Sequence, residues 1–185
     1  QTNDISMVEK ISNADIIFFT GGDQLRLSSI LCGTATLSAI KEKWRQDAVI
    51  AGTSAGAAAA SEVMICGGRP EQAMEKGHIM MAGGLGFAEN IVFDTHFSER
   101  NRLSRLFCAV AANPANIGIG LDEDTGVILR RDGSMDVIGS GTVTIVDGKT
   151  ISHSNIAEAR VGQKVSVDGL TPCTLKAGDR YNFKP

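Results

Sequence analysis

The sequence predicts an α/β fold, with a mostly parallel sheet covered by helices and continuing into a C-terminal antiparallel β meander. Three observations carry this reading. Short apolar runs at residues 15–20, 48–51 and 117–121 have the near-continuous hydrophobicity of strands buried on both faces, as parallel strands are. Segments with helical spacing separate the first two runs, giving the β-α-α-β order of a sheet with helical cover. After Asp124 the texture changes to short strands punctuated by Asp132-Gly133 and Asp147-Gly148, and Asp-Gly between such runs is a hairpin signal.

In chain order, residues 1–12 space Ile5, Val8 and Ile11 as a helix face that would pack against a sheet. The strand over 15–20 is closed by Gly21-Gly22, and Asp23 is placed to cap a helix whose apolar positions Leu27, Ile30 and Leu31 precede a stop at Gly33. A second helix, 36–46, aligns Leu37, Ile40 and Trp44. Residues 48–51 then form a strand, residues 52–56 spell Gly-Thr-Ser-Ala-Gly, and residues 57–64 are rich in helix formers. At this strand-turn-helix Ser54 is expected in a strained backbone conformation, with Gly52 and Gly56 letting neighbouring backbone pass close by. The glycine-rich segment 67–90 reads as loops wrapping the edge of the site.

Residues 90–97 give another strand. Ser98 is placed to cap a helix over 99–112, stopped by Asn113-Pro114. Leu103, Leu106, Phe107 and Val110 form its buried stripe, Arg102 and Arg105 share one flank, and Arg100 lies in its first turn. The strand at 117–121 ends in Asp122, Glu123 and Asp124. The meander follows, with strands at 126–131, 135–139, 142–146 and 149–152 that extend the same sheet rather than found a separate domain.

At 185 residues and 43% hydrophobic, the chain can bury one core and suits a single domain, 1–185. Eighteen Lys and Arg against 21 Asp and Glu give a net charge of −3, so no global basic field invites nucleic acid. No apolar run reaches the roughly 20 residues of a membrane helix, which predicts a soluble protein with no membrane partner. Cys32, Cys66, Cys108 and Cys173 lack C-x-x-C spacing; the first three sit in apolar surroundings and read as buried thiols. The chain opens on Gln1 without methionine, so a signal peptide cannot be judged from it; the expected location is the cytoplasm, with secretion the other option.

Ser54 at a helix N-terminus could act as a nucleophile, with the Ala55 amide helping to hold an oxyanion; the plainer alternative is that Thr53 or Ser54 only caps a helix. A nucleophilic serine needs a base within reach and an acid to orient it. Of the three histidines, His78 and His153 lie in loop-rich or polar segments, whereas His96 follows a buried strand at the same sheet edge as Ser54. The acid should also end a strand. Glu123 meets that requirement, with Asp122 and Asp124 as rivals, because a one-residue shift changes which side chain faces the site. Gly21 and Gly22 can offer backbone amides to complete an oxyanion hole with Ala55. Arg100, Arg102 and Arg105, close after His96, can bind carboxylates in fork geometry.

Four motifs in order then resemble the cyanophycinases, serine peptidases of the peptidase E superfamily. They are Phe19-Thr-Gly-Gly-Asp-Gln24, Gly52-Thr-Ser-Ala-Gly-Ala57, Asp94-Thr-His-Phe97 with Arg100, Arg102, Arg105 and Leu106 after it, and the Gly139 to Asp147-Gly148 run. The resemblance covers most of the chain. It implies a class I glutamine amidotransferase-like fold with a nucleophile elbow, and an exopeptidase that releases β-Asp-Arg dipeptides from cyanophycin, a poly-aspartate carrying arginine on its side chains. It also implies Ser54 as nucleophile, His96 as general base and acid, Glu123 as orienting acid, and Gln24, Asp94, Thr95, Arg100, Arg102 and Arg105 along the substrate pocket. No metal or cofactor is called for, and a homodimer is compatible with it.

Two departures stand out. Many members carry Gln where Thr95 stands, so a substrate hydrogen bond is lost or replaced there. Members also carry further N-terminal residues with the first strand of the sheet, so the resemblance implies that this chain starts after them. The competing readings are a peptidase E-like aspartyl dipeptidase using the same triad on small Asp-X substrates, and a non-catalytic binding module on the same scaffold.

Overall fold

In the computed structural model, which describes residues 5–183, helix α1 (Ile5–Ser12) leads into strand β1 (Ile16–Phe19). The first four residues of the predicted opening helix lie outside the described residues. Asp23 caps α2 (Gln24–Leu31) as expected, its carboxylate accepting from the Arg26 amide at 2.8 Å. Thr34 caps α3 (Ala35–Arg45), and α1 packs on that helix, with Ile11 reaching the core cluster that holds Phe19 of β1. Strand β2 (Val49–Gly52) runs parallel to β1, Ile16 opposite Val49 and Phe19 opposite Gly52. Phe19, Leu37, Ile40, Ala59, Met64 and Leu85 bury one side of this pair.

The other side is open, which corrects the expectation of a strand covered on both faces. Ile16 is 65% exposed, Phe18 57% and Val49 55%. Alternation explains it: Ile17 and Phe19 point to the helices, Ile16 and Phe18 point away, and no described element lies over them. Neither β1 nor β2 pairs with a further strand among the described residues.

After β2 the chain turns sharply through Thr53 and Ser54 into α4 (Ala55–Ala59). The helix predicted over 57–64 stops early because the chain is captured by strand pairing. The Glu62 amide donates to Ala88, and β3 (Val63–Gly67), with β-branched Val63 and Ile65, pairs antiparallel with β4 (Met80–Gly83). Part of the segment expected to be loop is therefore a hairpin, joined by a short 3-10 turn, Pro70–Gln72.

Strand β5 (Ile91–Thr95) leads through turns at 96–102 to α5 (Leu103–Ala112) and then to β6 (Ile117–Leu121), which pairs parallel with β5. Helix α5 starts four residues later than predicted, and its Ser98 cap is not formed, because Ser98 is drawn to Asp122 instead. Leu106 and Val110 are fully buried on the predicted stripe, while Leu103 is exposed.

Strands β7 (Thr125–Leu129) and β8 (Ser134–Gly139) form the hairpin expected at Asp132-Gly133. Strand β9 (Thr142–Asp147) pairs antiparallel with β6 and so extends the β5–β6 sheet, but β7 and β8 belong to a separate three-stranded sheet, which corrects the expectation that the whole meander continues one sheet. The strand predicted at 149–152 is instead a turn; a short β10 (His153–Ser154) pairs with β11 (Val167–Asp168), and the partner of β9 is β12 (Thr171–Lys176). Strand β13 (Arg180–Asn182) joins β8. Among the described residues only the β1–β2 and β5–β6 strand pairs are parallel, and the strands fall into several small sheets, so the architecture is mixed rather than mostly parallel. Cys108 is buried as expected, but Cys32 is exposed and Cys66 half-buried, another departure from the expected buried thiols; Cys173 is half-buried as well. Among the described residues no helix is long and apolar enough to cross a membrane.

Candidate active site

The turn after β2 depends on its glycines. A Cβ on Gly56 would stand 2.2 Å from the Phe19 carbonyl oxygen, and one on Gly52 2.6 Å from the Gly56 backbone. Strand β1 and the start of α4 can approach this closely only without side chains, and that approach throws Ser54 into φ 51°, ψ −116°. Gly21 touches it from the end of β1: a Cβ there would lie 3.4 Å from the Ser54 Cβ.

Three strand ends converge at this point. Ser54 follows β2, His96 follows β5 and Glu123 follows β6. Ser54 Oγ lies 3.0 Å from His96 Nε2, and His96 Nδ1 lies 2.9 Å from Glu123 Oε1. An ionised carboxylate only accepts, so Nδ1 carries the ring proton and Nε2 is left to accept from the Ser54 hydroxyl. His96 itself has φ 50°, a left-handed conformation that turns the ring back towards the serine. The two rival acids are engaged elsewhere: Asp122 holds Ser98 and Thr142, and Asp124 accepts from Ser140 Oγ at 2.6 Å. His78 pairs with Glu75 and His153 is exposed on β10.

Beside Ser54 and His96 lies a small polar recess of about 80 Å³, which Gly22, Gln24, Ala55, Asp94, Arg100 and Arg102 help to line. Its floor is an ion cluster. Asp94, 2% exposed, accepts from Arg105 Nε at 2.8 Å and from Arg105 Nη2, and from Arg102 Nη1 at 3.2 Å. Arg105 also donates to the Gly68 carbonyl, and Arg102 Nη1 to the Thr95 carbonyl at 2.5 Å. Burial pulls the Arg102 pKa below its ordinary value; Asp94 opposes that, while Arg105 and Arg100 add to it. Arg102 Nε is buried with no hydrogen-bond partner among the described residues. Three guanidinium groups against one carboxylate leave the recess positive. Gln24 spends its amide on the Ile65 carbonyl at 2.8 Å.

The structure thus brings Ser54, His96 and Glu123 together and sets the remaining expected residues around them, with Arg105 as a buried brace. Sequence reasoning passed over Glu99, whose Oε1 accepts from the Glu123 amide at 3.1 Å, and took Ser98 for a helix cap. Both act across 24 residues of chain, beyond any local pattern.

The sequence model of peptidase family S51 matches residues 1–138. A cyanophycinase of Synechococcus elongatus is 40% identical over 179 residues, 96% of this chain and 56% of that protein. A cyanophycinase of Geminocystis herdmanii is 39% identical over 185 residues, all of this chain and 68% of its own length. The chain therefore spans little more than half of the first of these relatives. Among solved structures, a peptidase from an acI-B1 actinobacterium superposes with a TM-score of 0.72 at 25% identity, covering 98% of this chain and 65% of that one. A Listeria monocytogenes protein described as a putative peptidase E shares the fold more loosely, with a TM-score of 0.53 at 16% identity over 74% of this chain and 65% of its own.

Proposed function

The chain belongs to peptidase family S51, and from that premise we propose that it is the catalytic body of a serine-type peptidase that hydrolyses cyanophycin to β-Asp-Arg dipeptides. The observation that carries the proposal is the Ser54–His96–Glu123 relay, with contacts of 3.0 and 2.9 Å, set beside an arginine-rich recess. In this reading the turn at Ser54 is a nucleophile elbow on a class I glutamine amidotransferase-like scaffold, and residues 1–185 form one domain.

His96 Nε2 takes the Ser54 proton as Oγ attacks the scissile carbonyl, and Glu123 stabilises the imidazolium that results. The amides of Ala55 and of Gly21 or Gly22 hold the oxyanion. Collapse of the intermediate expels the amine, which takes its proton from His96, and water then releases the acyl group by the same route in reverse. The positive recess suits the carboxylates of an aspartate backbone, with Arg100 and Arg102 as the arms nearest solvent and Gln24, Asp94, Thr95 and Arg105 shaping its walls.

The test is incubation of the purified chain with insoluble cyanophycin, following products by mass spectrometry beside Ser54→Ala. We expect β-Asp-Arg from the wild type and a loss on the order of 10⁴ or more in the variant, its circular dichroism unchanged. Retained hydrolysis in Ser54→Ala sinks the assignment. Turnover of small Asp-X dipeptides but not of the polymer replaces it with the aspartyl dipeptidase reading.

A further inference from the structure

We infer that Asp122 is a positioning residue, stapling the segment that carries His96 to the strand end that carries Glu123. The inference rests on the reading of Ser54, His96 and Glu123 as a catalytic relay. The ladder between β5 and β6 ends at Thr95 opposite Leu121, one residue short of His96 and two short of Glu123. Beyond that point no strand pairing keeps the two side chains in register.

Asp122 supplies what the ladder does not. Its Oδ1 accepts from the Ser98 amide at 3.1 Å and the Ser98 hydroxyl at 2.6 Å. Its Oδ2 accepts from the Thr142 amide at 3.0 Å and the Thr142 hydroxyl at 2.5 Å. One carboxylate thereby ties three segments: the turn after β5, the end of β6 and the start of β9. The Phe97 amide donating to the Leu121 carbonyl at 3.1 Å and the Glu123 amide donating to Glu99 Oε1 at 3.1 Å close the same seam.

The relay requires such support. The Glu123 side chain is 57% exposed, and a contact that solvent screens so openly is too weak to fix a flexible glutamate. His96 sits at φ 50°, a left-handed conformation that strains a non-glycine residue and persists only where the surroundings over-determine it. Hydrogen bonds to a carboxylate are the stronger kind. Burial alone would raise the Asp122 pKa, but the donors of Ser98 and Thr142 outweigh it and bring it below the ordinary aspartate value, so the staple stays charged at neutral pH.

The experiment compares the wild-type chain with Asp122→Ala, both carrying ¹⁵N-labelled histidine. Two-bond ¹H–¹⁵N correlation reads the His96 tautomer without needing turnover, so it decides the role of Asp122 even if cyanophycin proves not to be the substrate. We expect a single Nδ1–H tautomer in the wild type and a mixture in Asp122→Ala, with circular dichroism unchanged. On cyanophycin kcat should fall about 10–100-fold while KM stays within about twofold, the signature of a misaligned base rather than a lost binding contact. An unchanged tautomer in Asp122→Ala, or a mixture already in the wild type, overturns the proposal. If Asp122→Ala does not fold, Ser98→Ala and Thr142→Ala each remove one hydroxyl donor and leave the backbone bonds, and their double variant should shift the tautomer; no shift overturns it equally.

Discussion

Gly56 allows no substitution without movement, because its α-carbon faces the Phe19 carbonyl with no room for a methyl group. Gly56→Ala should destabilise the chain by about 1–3 kcal/mol through forced backbone displacement, read as a lower thermal midpoint, and should lower the proposed peptidase activity by moving Ser54. An unshifted midpoint would mean that β1 and α4 can part without cost. Ser54 and His96 were legible in the sequence because each follows an apolar strand run, which puts polar side chains at a strand end; the same rule left Asp122, Glu123 and Asp124 as rivals, and only the resemblance singled out Glu123. The fates of Asp122 and Ser98 were not legible. Their bond spans 24 residues, and each had a plausible local role, rival acid or helix cap, that the tertiary contact overrode.

At the scale of elements, Asp136 on β8 joins β7 to β13. Hydrogen bonds from Arg180 on β13, and then from Arg130 just after β7, hold its carboxyl at about 2, below the ordinary aspartate value. A depressed acid stabilises the fold above its unfolded pKa of about 3.9 and loses that contribution as pH falls through about 2. Asp136→Asn should therefore flatten the acid limb of the unfolding midpoint between about pH 4 and 2, measured by circular dichroism; an unchanged slope would show that the arginines find other partners. The hairpin at Asp132-Gly133 was readable because turn chemistry is local. The early end of α4 was not, since alanines and Glu62 favour helix and only pairing with β4 and the Ala88 bridge redirects the chain.

For the whole molecule, the open side of β1 and β2 is the main departure from the predicted architecture. Ile16, Phe18 and Val49 are exposed on the open face of a strand pair that joins no further strand among the described residues, and next to them a cavity of about 820 Å³ is lined in part by Trp44, Ile50, Phe87 and Ile128. Apolar runs in the sequence announce that a strand wants cover, but not whether cover is present. The chain on its own should bind a hydrophobic dye and self-associate, and Phe18→Ser with Val49→Thr should reduce both, as dye fluorescence and light scattering would show. Equal signals from wild type and variant would place the sticky surface elsewhere. The relay also has a temporal side. Its contacts join residues 42 and 27 positions apart, the second of them across the parallel β5–β6 pair, and non-local pairings of this kind are slow to form in a folding chain. Helices and hairpins can form while the relay is still dispersed, so a reagent that labels only an activated Ser54 would count the molecules that have finished folding.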